Sequence, residues 1–110
     1  MNYILDHSKK HHKFFEEMTR IPHGSFNEKA YSDYLVEFAK ERGLAYEQDE
    51  VYNVIICKPA TPGYEDHAPV ILQAHTDMVC EKHRDVEFNF ETDALELDNY
   101  LIDVKLKEKY

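Results

Sequence analysis

The chain has 110 residues, a formal net charge of −9 from 22 acidic against 13 basic side chains, and 43% hydrophobic residues. That length allows one domain with one core, and eight tyrosines with six phenylalanines are too many for a disordered composition. The acidic balance repels phosphate backbones and excludes nucleic acid as a partner.

No apolar run approaches a membrane span or the core of a signal peptide, so no membrane partner is expected and the cytoplasm is the expected compartment. Cys57 and Cys80 lie far apart without CxxC spacing, and the expectation is two reduced, partly buried thiols.

In chain order, Ser8 to Ile21 reads as a helix: Phe14, Phe15, Met18 and Ile21 recur at helical spacing and Pro22 stops it. A second helix follows in "GSFNEKAYSDYLVEFAKERG". Ser25 and Glu28 fit a capping box, Tyr31, Tyr34, Leu35 and Phe38 form an apolar stripe, and Gly43 suits a left-handed terminus. The period then changes, and Ala45–Gln48 and Asn53–Lys58 read as two strands split by an acidic turn.

Pro59, Pro62 and Gly63 make a loop. The continuous apolar run Val70 to Ala74 reads as a strand covered on both faces. One more strand is allowed after Val86, with Asp93 and Glu96 as its surface carboxylates, and residues 98–110 read as a frayed tail. Helix, helix, strands and a buried strand give an α/β class, with two N-terminal helices followed by a small mixed sheet. A domain of this kind normally continues with more crossover helices, so the chain is expected to be an incomplete part of one.

The residues that invite chemistry are His75 and Asp77 in "VILQAHTDMVCEK". On a strand, positions i and i+2 share a side, so the two emerge together at the strand's carboxyl end, the edge where open α/β sheets bind ligands. A metal-bound imidazole usually hands its other N–H to a carboxylate, and His-x-Asp supplies both partners. The spacing equally suits a loop histidine with an N-capping aspartate. Glu81 and Glu91 could stand near His75 to fill a coordination shell.

Elsewhere, His7, His11 and His12 read as a solvated helix start, since no glutamate completes an HExxH pattern. His23 reads as a turn residue, and His67 and His83 as loop residues. Ser25 is taken by a helix cap and Ser32 by a helix face. Cys80 has no base beside it to lower its pKa, and glycine is too scarce for a phosphate-binding loop.

The segments "FEEMTRIPHGSFNE", "LVEFAKERGL", "NVIICKPAT" and "PVILQAHTDMVCEK" occur in order and together resemble the amino-terminal part of the aminoacyl-histidine dipeptidases. These cytosolic non-specific dipeptidases are part of the zinc aminopeptidase-like superfamily. The likeness runs from about Phe14 to Leu97. It implies a partial zinc-exopeptidase-like sandwich, dipeptide substrates including those ending in histidine, and Zn2+, with two metals in the complete enzyme.

By the same resemblance His75 matches the first zinc-ligand histidine and Asp77 the aspartate that orients it and tunes the site, while a glutamate acts as general base. The family's bridging aspartate, paired glutamates, later carboxylate ligand and second histidine have no counterpart here. Since a catalytic zinc needs about three protein ligands, the expectation is a chain that is inactive alone. The rival expectations are a non-catalytic remnant serving as an interaction or complex subunit through exposed sheet edges, and a small α/β binding protein whose His-x-Asp is structural.

Overall fold

In the computed structural model, which describes residues 3–97, the chain forms two compact units: one holds residues 3–22 with 82–97, the other residues 23–81. The frayed tail expected at 98–110 falls outside the described residues.

In the first unit, helix α1 spans Lys10–Thr19. Its buried positions are Glu16 and Thr19, at 2% and 3% exposure, and not the expected apolar stripe; Phe15 is 48% exposed. The reason is polar. Glu16 accepts the backbone N–H groups of Ile4 (2.9 Å to Oε2) and Leu5 (3.0 Å to Oε1). It also meets His7 Nε2 at 2.8 Å and Arg20 at 3.3 Å. A carboxylate so surrounded can be buried, because every lone pair finds a donor. Burial pushes its pKa up, but these hydrogen bonds outweigh burial and hold it at about 2.

His7, expected in solvent, is thus tied to Glu16 and stacks on Tyr3 with ring centroids 3.7 Å apart. Segment 82–97 contains no strand, so the additional strand expected after Val86 does not form within it. It is joined to α1 by the Leu95 N–H, which donates to the Thr19 carbonyl at 2.9 Å.

In the second unit, α2 spans Lys29–Glu41 and packs on a hairpin of β1, Ala45–Gln48, and β2, Val54–Cys57. The strands are antiparallel with Tyr46 opposite Ile56 and Gln48 opposite Val54. Both helices and both strands of the expected order are present, and the α/β class holds.

The helix face is rotated from the expected stripe. Ser32, Val36 and Ala39 are its buried residues, while Tyr31, Tyr34, Leu35 and Phe38 are half-buried beside them. Ser32 sits at the centre because its hydroxyl donates to the Tyr52 carbonyl at 2.9 Å and accepts from Gln48 Nε2 at 2.8 Å. Gly43 ends α2 with φ +64, and the paired bonds Gly43 N–H to Lys40 and Leu44 N–H to Ala39 close the terminus as expected. Asp49 organises the hairpin turn, accepting from the Val51 and Asn53 N–H groups at 3.0 and 2.8 Å.

The run Val70 to Ala74 corrects the sequence reading most. It forms no strand, and Val70, Ile71 and Leu72 are 85%, 89% and 92% exposed. No backbone group of residues 69–74 finds a hydrogen-bond partner among the described residues. A strand is defined by its neighbours, so β propensity without a partner leaves only an extended segment. This segment and β2 line a cleft of about 540 Å³. Both cysteines are free and exposed, where partial burial was expected.

Candidate functional site

The site is built by a backbone clip within the second unit. Residues 23–25 run parallel to Met78 through the bridge Gly24–Met78. The Met78 N–H donates to the His23 carbonyl at 2.9 Å, and the Ser25 N–H donates to the Met78 carbonyl at 3.2 Å. A Cβ on residue 24 would lie 2.5 Å from Cys80 Sγ, closer than real contacts allow.

Immediately after the clip the chain turns, with the Asn27 N–H donating to the Gly24 carbonyl at 2.8 Å. Phe26 at this turn has φ +68 and is fully exposed. A non-glycine residue there costs about 1–2 kcal/mol, strain that persists only where neighbouring bonds impose the conformation.

The clip carries Ser25 to Asp77. The Ser25 hydroxyl donates to Asp77 Oδ2 at 2.5 Å. This replaces the expected capping box: α2 begins at Lys29, has no side-chain cap, and Glu28 accepts instead from the Phe26 N–H at 2.8 Å. Asp77 Oδ1 lies 3.0 Å from His75 Nδ1, which also approaches the Asp77 carbonyl at 2.8 Å.

Both groups facing Nδ1 are acceptors, so Nδ1 carries the proton and Nε2 of the neutral ring bears the lone pair. The Ser25 hydroxyl first, then the His75 contact, hold the Asp77 carboxyl below the usual range. His75 is 85% exposed and its Nε2 has no protein partner among the described residues.

His75 and Asp77 therefore meet, as i, i+2 spacing predicts, but at the end of an extended segment and not of a strand. Ser25 escaped sequence reading because it lies 52 positions away. The one available signal was its distance from the helix, four residues before Lys29, too far for a cap.

His23 is buried at 5% exposure, while His67, Glu81, His83 and Glu91 are exposed. No group of three His, Cys, Asp or Glu side chains converges among the described residues. A zinc ion needs about three protein donors, so the described residues do not fit zinc by themselves. They supply one pre-oriented imidazole and its carboxylate. No helix of the described residues is long and apolar enough to cross a membrane.

No family model matches the chain. The cytosol non-specific dipeptidase of Escherichia coli (strain K12) is 44% identical over 82 residues, which is 74% of this chain and 17% of that protein. The crystal structure of aminoacylhistidine dipeptidase from Vibrio alginolyticus superposes with a TM-score of 0.74 at 41% identity, covering 80% of this chain and 18% of the other. The chain thus spans under a fifth of the length of either relative. The resemblance read from "QAHTDMV" and its companion segments holds in both sequence and fold: over most of its described length this chain is similar to a portion of an aminoacyl-histidine dipeptidase.

Proposed function

We propose that this chain is an N-terminal part of the catalytic domain of a cytoplasmic, metal-dependent dipeptidase acting on dipeptides that include Xaa-His. In this reading His75 is a metal ligand through Nε2, and Asp77 orients it. The observation that carries the reading is the solvent-facing Nε2, left as a lone pair because Asp77 holds Nδ1–H, within a segment similar to known dipeptidases.

Zinc is the metal this reading implies, and in the complete enzyme it would polarise water and the scissile carbonyl. With only one histidine and its carboxylate partner in place among the described residues, no hydrolytic step is assigned to this chain alone. Purified chain incubated with zinc and an Xaa-His dipeptide should cleave no faster than a zinc-only blank. Zinc-dependent cleavage that disappears in His75→Ala would overturn that.

A second reading is favoured by the cleft between β2 and residues 69–74. Its walls are β2 with Lys58 and the unpaired run that includes Val70, Ile71 and Leu72. Exposed extended segments of this composition recruit other strands. As a non-catalytic subunit, the chain would associate with itself or with a larger assembly through this edge.

A further inference from the structure

Ser25 is spent neither on the helix it precedes nor on solvent. Its backbone N–H is fixed to Met78 at 3.2 Å and its hydroxyl donates to Asp77 at 2.5 Å. The Met78 N–H bond to the His23 carbonyl, at 2.9 Å, completes the parallel bridge that holds the same two segments together. Ser25 is therefore held by main-chain bonds on a carboxylate that is itself in contact with His75.

A carboxylate two residues from an imidazole has two free rotations, and in water either oxygen, or neither, could face the ring. One hydroxyl on Oδ2 removes that freedom. It anchors one oxygen and leaves Oδ1 aimed at Nδ1, 3.0 Å away. With Nδ1 protonated against Oδ1 and the Asp77 carbonyl, only Nε2 remains to accept a cation.

We propose that Ser25 is a positioning residue for this site, acting through Asp77 to hold His75 in its Nδ1–H tautomer and so to present the Nε2 lone pair outward. The chain Ser25–Asp77–His75 runs from a backbone clip to a solvent-facing nitrogen. Only its last link, the use of that nitrogen by a metal, rests on the dipeptidase reading. The tautomer itself does not.

Nitrogen-15 NMR of the His75 ring in the full 110-residue chain, at a pH where the ring is neutral, reads the tautomer directly. The wild-type chain should show Nδ1 protonated and Nε2 bare. Ser25→Ala should move the ring toward a tautomer mixture while far-ultraviolet circular dichroism stays unchanged, and Ser25→Thr, which keeps the hydroxyl, should restore the wild-type pattern.

An Nε2–H tautomer in the wild-type chain overturns the proposal even if Ser25→Ala fails to fold. So does a folded Ser25→Ala whose ring spectrum is unaltered, and so does a folded Ser25→Thr that behaves like Ser25→Ala.

Zinc titration of the same samples separates the two readings. If zinc binds, Ser25→Ala should weaken it by about tenfold or more. A wild-type Nε2 that ignores zinc, with its tautomer as expected, leaves the positioning role standing, since one histidine with its carboxylate falls short of the about three donors a zinc site needs.

Discussion

Glu16 has a place in α1 that side-chain periodicity would give to a leucine. Its partners are largely backbone N–H groups of Ile4 and Leu5, and these leave no trace in a hydrophobic pattern. Its folded pKa is lowered to about 2 from an ordinary 4.5. A carboxylate lowered in this way stabilises the fold fully above its unfolded pKa, and the contribution is lost as pH falls through the folded value. Acid titration should therefore destabilise the chain between about 4.5 and about 2. Glu16→Gln should be less stable at neutral pH and show a flatter acid limb, as read by urea midpoints across that window. The His75–Asp77 meeting was legible because it depends only on i, i+2 geometry. The Ser25 link was not, because its partner is remote and Ser25 with Glu28 matches a local pattern that the chain declines.

At the scale of elements, the end of α2 and the hairpin were legible almost to the residue, because Gly43 and the change of period mark them in local chemistry, whereas the start of α2 falls at Lys29, beyond the capping box expected at Ser25. Which face of α2 is buried was less so. Ser32 is fully buried, and its hydroxyl joins the Tyr52 carbonyl and Gln48 into one polar seam between helix and hairpin. Ser32→Ala leaves the Tyr52 carbonyl without its partner and should cost about 1–2 kcal/mol, seen as a lower urea midpoint. The Val70 to Ala74 run was misread for the opposite reason. Its composition is that of a sheet interior, but the pairing that makes an interior is non-local, and the described residues do not provide it.

Across the whole molecule, Val36 and Ala39 are the buried hydrophobic residues among those described, while Val70, Ile71 and Leu72 stand in water. So small an apolar interior leaves little margin over conformational entropy. The net charge of −9 keeps copies apart. Raising salt from low to about physiological strength shortens the screening length to about 8 Å and should let the exposed run associate. Light scattering should show mass rising with salt for the wild-type chain and a smaller rise for Ile71→Lys.

The Cys80 sulfur, which occupies the room that a methyl on residue 24 would need, also gives the molecule a chemical seam. The thiol is exposed to reagents, yet an alkyl adduct is too large to remain against Gly24. Alkylation therefore has to turn the sulfur outward, and that movement would open beside residue 24 the room that a methyl there needs.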